Sequence, residues 1–388
     1  MRPYSLISHL TTPTSLLPRL QRRHFLMAAG LAGLVPGAPV NALPVKAMQF
    51  PRDFGAHPDF RTEWWYITGH AGAGGVGSVG SVGSINSVSA ETRKFGFQLT
   101  FFRSRIEAAQ GMKSKFSAQQ LLFAHAAITD VTGEKLLHDQ RIARDGFGVA
   151  FASEETTNIK LRDWSLLADQ SGGYTAELPA ADFGLSLQFS PTQPVLLQGN
   201  QGLSRKGPQI QQASYYYSQP QLATTGRLRV AGQTFEVAGK AWLDHEWSQE
   251  LLHPTAVGWD WIGMNLNDGS ALTAFRLRDK NQNAVWDGGS FRSAQGGLNT
   301  FSQGQVTFQP VRSWKSPSSQ TSYPIEWLVR TPAETYTVRA IVDNQELDSR
   351  QSTGSIYWEG LSALIDSKGK TVGSGYLEMT GYTKPLQL

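Results

Sequence analysis

The sequence predicts an all-β protein made of two antiparallel barrels in tandem, and three observations carry that expectation. Apolar and polar residues alternate with period two along most of the chain. The alternating runs are short, regularly spaced and separated by Gly, Asn, Asp and Pro, as in barrels and sandwiches. Stretches with the helical period are scarce, and no strand–helix–strand alternation appears.

In chain order, strands are expected at 63–68, 95–102, 121–129, 181–189 and 227–230. A second series follows at 234–242, 258–266, 271–278, 336–342, 354–358 and 376–382. A helical turn is expected within 115–124. Residues 71–92 form a Gly/Ser/Val tract with Val-Gly-Ser repeats between two strands, which reads as an enlarged hairpin loop. No Lys-Ser/Thr closes its glycines and no helix follows, which argues against a phosphate-binding loop. A Tyr- and Gln-rich connection, 214–222, ends near Thr224-Thr225, where the domain boundary is expected. The barrels then span 48–224 and 225–388, each long enough for eight to ten strands.

Of 388 residues, 40% are hydrophobic and 17% charged, which supports a sizeable core. Arg2, Arg19, Arg22 and Arg23 account for the whole formal charge of +4, because residues 1–42 hold no acid. The remainder is neutral, so there is no electrostatic case for a nucleic-acid partner. The absence of cysteine excludes disulfides, thiolate nucleophiles and Cys-based metal sites. No two histidines stand at close metal-ligand spacing, and neither a metal nor a cofactor is expected.

Residues 1–42 read as a twin-arginine signal peptide. Arg22-Arg23-His24-Phe25-Leu26 precedes a short apolar run and Val40-Asn41-Ala42, which suits signal-peptidase cleavage. The run is too short and too rich in Gly and Pro to span a bilayer, and no later segment reads as a membrane span. The expected location is periplasmic or secreted.

Four segments mix aromatic and ionisable residues. In Glu63-Trp64-Trp65-Tyr66, alternation puts Glu63 and Trp65 on one strand face and Trp64 and Tyr66 on the other. His125 shares a face with Leu121 and Phe123. In Trp242-Leu243-Asp244-His245-Glu246-Trp247, Trp242, Asp244 and Glu246 share one face, and His245 and Trp247 the other. Trp259 and Trp261 point one way and Asp260 the other. Paired carboxylates walled by Trp suit acid catalysis: burial divides their pKa values, and the indole faces shelter a developing cation. Asp244, His245, Glu246 and Trp247 are therefore the candidate catalytic residues. Glu63, Trp64, Trp65, Tyr66, His125, Trp259 and Trp261 are the candidate ligand-binding residues. Glu63 also has a structural reading, as a partner of Arg61 or Arg103, and Tyr215-Tyr216-Tyr217 reads as filling between the halves.

These motifs resemble a known family. Phe50-Pro51-Arg52-Asp53-Phe54-Gly55, His57-Pro58, Thr62-Glu63-Trp64-Trp65-Tyr66, Phe123-Ala124-His125-Ala126, Trp242-Leu243-Asp244-His245-Glu246-Trp247 and the closing Gly375-Tyr376-Leu377-Glu378-Met379-Thr380-Gly381-Tyr382 are similar to AttH-like proteins, which group with the carotenoid 1,2-hydratases. The resemblance implies two consecutive lipocalin-like, calycin-type antiparallel β-barrels and a lipophilic ligand of terpenoid or acyl type. The hydratase branch adds water to carotenoid double bonds without a cofactor, and its Asp-His-x-Trp segment maps onto Asp244, His245 and Trp247. That branch's Tyr-x-Asp has no counterpart, since the comparable strand reads Thr273-Ala274-Phe275-Arg276-Leu277. The leader places the chain nearer the AttH branch, which implies an ABC-type transporter permease as a partner.

Overall fold

The computed structural model describes residues 42–74 and 93–386, and no α-helix occurs among them. The arginine pair of the leader and most of the Val-Gly-Ser tract lie outside the described residues. No helix among the described residues is long and apolar enough to cross a membrane.

The first sheet opens with β1 (Thr62–Ala73), β2 (Arg93–Arg105), β3 (Gln120–Asp130), β4 (Lys135–Arg144), β5 (Ala150–Ala152) and β6 (Asn158–Leu161). It continues with β7 (Trp164–Ala168), β8 (Tyr174–Pro179), β9 (Phe183–Ser190), β10 (Leu196–Leu197), β11 (Leu203–Arg205), β12 (Ala213–Val230) and β13 (Gln233–Glu250). The second holds β14 (Gly258–Leu266), β15 (Ala271–Arg278), β16 (Ala284–Arg292), β17 (Leu298–Phe301) and β18 (Thr307–Lys315). Its remaining strands are β19 (Ser322–Arg330), β20 (Thr335–Ala340), β21 (Glu346–Ser349), β22 (Ser355–Ile365) and β23 (Thr371–Met379).

Both sheets curl because their edge strands are neighbours in the chain. The first runs β4-β3-β2-β1-β13-β12-β9-β8-β7-β6-β5, and residues 145–149 join its two edges into a nearly closed barrel. The second runs from β17 to β18 by way of β14, β23 and β22, and residues 302–306 link its edges. That link brings Phe301 and Phe308 into one core with Ile262, Trp327, Trp358 and Leu377. The first barrel is filled by Trp65, Phe97, Leu122, Trp164, Leu187, Leu243 and Trp247. In the hairpin joining β12 to β13, Ala231 and Gly232 both take positive φ (50° and 79°), as a two-residue turn matching strand twist requires.

Barrel interiors account for one face of each strand, yet β13 is buried on both faces from Ala241 to Ser248. The reason is that the outer faces of the two sheets pack on each other through Tyr66, Trp242, Trp261, Phe275, Leu361 and Tyr376.

Three expectations need correction. Thr224 and Thr225 lie inside β12, and the first sheet extends to Glu250, so the changeover falls within 251–257. The Asp-His-Glu-Trp segment therefore belongs to the first barrel. The helical turn expected within 115–124 is not formed: β3 begins at Gln120, and a short 3-10 turn stands at Glu107–Ala109. Of Tyr215-Tyr216-Tyr217, only Tyr216 faces the second sheet, while Tyr215 and Tyr217 join the first core.

Candidate active site between the barrels

Cross-strand register builds the site. On the first sheet Ser218, Asp244, Tyr66, Thr100 and His125 are successive partners in one row. The next row holds Tyr216, Glu246, Trp64, Phe102 and Phe123. Opposite them on the second sheet stands Phe275, Trp261, Glu378 and Glu359. Partners in a row share a face, and these rows wall a cavity of about 270 Å³ between the barrels. Gly263, two residues beyond Trp261, leaves space for that indole, whose ring a Cβ there would strike.

Five acidic residues line this cavity, of which Glu63 gives its carboxylate to His57, His245 and Arg103. Asp244 accepts hydrogen bonds from Tyr216 Oη (2.6 Å), Ser218 Oγ (2.5 Å) and Trp242 Nε1 (2.7 Å). Burial nevertheless outweighs these bonds and pushes it up to about 7. Glu246 accepts from Ser214 Oγ and from Lys206 Nζ at 2.9 Å, and that ammonium lies over the Phe275 and Tyr216 rings. Glu378 is also pushed up to about 7 by burial, against a bond from Trp259 and with the charges of Asp244 and Glu246 adding to the rise. Burial and then the charge of Glu378 hold Glu359 well above the ordinary carboxyl range. Gln98, in the amide orientation that satisfies both partners, donates to Glu359.

Among the described residues, the buried pairs with Lys or Arg engage Glu63, Glu246 and Asp260, and none engages Asp244, Glu359 or Glu378. Above them the Tyr66 hydroxyl is buried against Glu359, in the field of Glu359 and Glu378. An aromatic cavity with three carboxyls outside any ion pair and a buried hydroxyl beside them is a site for protonating or holding an apolar molecule.

Behind the wall, inside the first barrel, lies a separate polar network. Glu63 Oε1 meets His57 Nδ1 at 2.7 Å and His245 Nε2 at 2.9 Å, while Oε2 accepts from Arg103 Nε at 2.8 Å. The far ring nitrogens are held by Asp53 (3.0 Å) and the Tyr217 hydroxyl (3.0 Å). Trp247 stacks on His57 at 3.8 Å and Trp65 on His245 at 4.5 Å. Although burial opposes ionisation of Glu63, bonds from His245 and His57 hold it well below the usual range. Burial takes His245 down to about 4 despite Glu63, so the ring is neutral. Ligand-type atoms of His57, Glu63 and His245 lie within 4.8 Å of one another, but direct hydrogen bonds and Arg103 already occupy them.

The expected site residues thus divide. Asp244, Glu246, Trp64, Tyr66, Trp259 and Trp261 meet at the cavity. His245, Trp247 and Trp65 point into the first barrel, and Glu63 directs its carboxylate there. His245 is therefore no orienting partner for Asp244, because consecutive strand residues face opposite sides. Glu63 has the structural role expected for it, with Arg103 as partner. His125 borders the cavity but bonds Tyr357 Oη and Ser352 Oγ, both at 2.8 Å, tying the two sheets together. Burial lowers it to about 3 and keeps it neutral. Lys206, Glu359 and Glu378 escaped the sequence reading; the signal available was a single acid inside each apolar strand, 355–361 and 375–379.

This arrangement defines a lipocalin-like protein of two β-barrels with a cavity between them. The chain belongs to the AttH-like family, whose model matches residues 41–382. Among solved structures, a protein of Nitrosomonas europaea assigned to AttH is 43% identical with a TM-score of 0.79, covering 89% of this chain and 99% of its own. Kievitone hydratase of Nectria haematococca shares the fold at 11% identity and a TM-score of 0.64, over 87% of this chain and 94% of its own. A comparison with the curated proteins finds no match.

Proposed function

We propose that the protein binds a lipophilic, unsaturated small molecule of terpenoid or acyl type between its barrels and hydrates it by acid catalysis. The carrying observation is the set of three buried carboxyls outside any ion pair and facing aromatic walls, two of them poised near pH 7. Glu378 is the proton donor, since Asp244 already accepts three bonds that favour its charged form. The double bond takes the proton of Glu378 and becomes a carbocation, sheltered by Trp259, Trp261 and the Asp244 carboxylate. Water adds to the cation, and its excess proton returns to Glu378, so the net change is addition of one water. Hydration is also the reaction named for the kievitone hydratase, a likeness of fold alone.

The leader sequence supports action outside the cytoplasm, in the periplasm, after twin-arginine export. A second reading, a carrier without chemistry beside an ABC-type permease, is favoured by the mainly apolar wall of the cavity.

The test is incubation with a panel of acyclic terpenes and unsaturated fatty acids in ¹⁸O-labelled water, scored by mass spectrometry. Label should enter a substrate with the parent protein and not with Glu378→Gln. Retention of a panel compound without label in any product would favour the carrier. Neither retention nor labelling would contradict both readings.

A further inference from the structure

We propose that the end of the first barrel beside the cavity mouth docks on an anionic lipid surface. This inference stands on a different surface and does not need the chemistry above. Register fixes the location: the pairs Thr62↔Ser104, Arg105↔Gln120 and Leu121↔Arg144 put one end of β1, of β2, of β3 and of β4 at the same rim. Thr62, Ser104, Leu251 and Leu252 line the cavity at this rim. From it rise two loops, 106–119 and 145–149.

Those loops display large apolar side chains to solvent. Phe116 is 74% exposed, Phe147 59% and Met112 53%. Isolated exposed apolar residues are ordinary, but here Phe116 and Phe147 stack at 5.6 Å and both stay mostly exposed. Arg144 lies under the pair, 4.1 Å from the Phe147 ring and 5.6 Å from the Phe116 ring, and donates to the Lys115 carbonyl at 3.2 Å. An arginine that packs its stem along phenylalanines and leaves exposed lysines nearby is the arrangement of an interfacial anchor.

Charge selects the surface. The two loops and their rim carry Arg105, Lys113, Lys115 and Arg144 against Glu107 and Asp145, and both lysines are exposed. Bases that surround apolar tips attract anionic headgroups while the rings enter the acyl boundary. Docked this way, the cavity mouth would face the phase in which a lipophilic ligand dissolves.

The test is sedimentation of the purified chain with phosphatidylglycerol-containing vesicles and with phosphatidylcholine vesicles. The parent is compared with Phe116→Ser/Phe147→Ser and with Lys113→Gln/Lys115→Gln. Residues 1–41 are common to all three proteins, so any lipid affinity of that segment cancels. The double phenylalanine variant should bind anionic vesicles about 100-fold more weakly, roughly tenfold per ring, with unchanged circular dichroism and melting temperature. The lysine variant should lose several-fold and become less sensitive to salt. Equal binding by the phenylalanine variant, or equal binding to the two vesicle types, overturns the proposal. Capture of a soluble protein through Phe116 and Phe147, with no vesicle binding, overturns it in favour of a protein partner.

Discussion

Glu359 on β22 and Glu378 on β23 are direct cross-strand partners, and among the described residues no ion pair engages either. Two ionised carboxylates in that relation repel, so the pair holds protons that isolated acids release well below neutral pH. Replacing Glu378 by Gln should remove turnover by roughly 10²- to 10⁴-fold, the usual range for a general acid, with the fold retained. Glu359 keeps its proton while Glu378 titrates, so Glu359→Gln removes no charge and should leave the alkaline limb of the kcat/KM profile, set by Glu378, near pH 7. The check is the pH profile of each variant.

Stability should fall as pH rises from about 4 to about 7. Asp244 and Glu378 are lifted from 3.8 and 4.5 to about 7, so across that window the folded chain keeps protons that the unfolded chain loses. The loss is on the order of 3 kcal/mol per group at the top of the window, with no further change from these groups above it. Thermal melts of the parent and of Glu378→Gln between pH 4 and 8 measure this. A flatter curve for the variant is the expected outcome.

Asp244 and His245 are adjacent in sequence but belong to different compartments. Asp244→Asn should lower turnover by more than tenfold, because Tyr216, Ser218 and Trp242 then point donors at an amide. His245→Gln should lower the melting temperature and leave kcat/KM within a few-fold. Matching losses of turnover in the two variants would contradict the division of faces.

Glu63 is the hub of the internal network. Glu63→Gln leaves the Arg103 guanidinium buried without its counter-ion. Breaking a buried pair in this way destabilises by about 3–5 kcal/mol. Urea unfolding at pH 7 reads the difference, and a loss well below 1 kcal/mol would show the network to be dispensable.

The Tyr66 hydroxyl offers a cleaner separation of binding from folding. Its contact with Glu359 falls short of a well-formed hydrogen bond, so Tyr66→Phe should change stability by less than about 1 kcal/mol. The same change should weaken ligand binding about tenfold if the hydroxyl bonds the ligand, as isothermal titration with an identified ligand would show.

Period-two alternation made the strand faces legible. It separated Asp244 and Glu246 from His245 and Trp247, and Trp259 and Trp261 from Asp260, and each division stands in the fold. It did not reveal what each face meets. The outer face of a barrel strand packed on a second sheet has the same apolar alternation as an inner face, so the cavity between the barrels was not visible in sequence. Glu359 and Glu378 come together only through the register of β22 on β23, which one strand's pattern does not encode. The boundary near Thr224 failed for a related reason: β12 and β13 are 18 residues each, and their outer ends extend past the polar connection that marked the break.

Native mass spectrometry of the purified protein and of Thr100→Phe tests the inter-barrel site most directly. Thr100 sits buried in the middle of the cavity wall, between Tyr66 and His125 in its row, and a phenyl ring there fills the space a ligand needs. The expected result is a parent that retains a small apolar molecule and a folded variant that retains none. Equal retention by both would place the ligand elsewhere and contradict the site between the barrels.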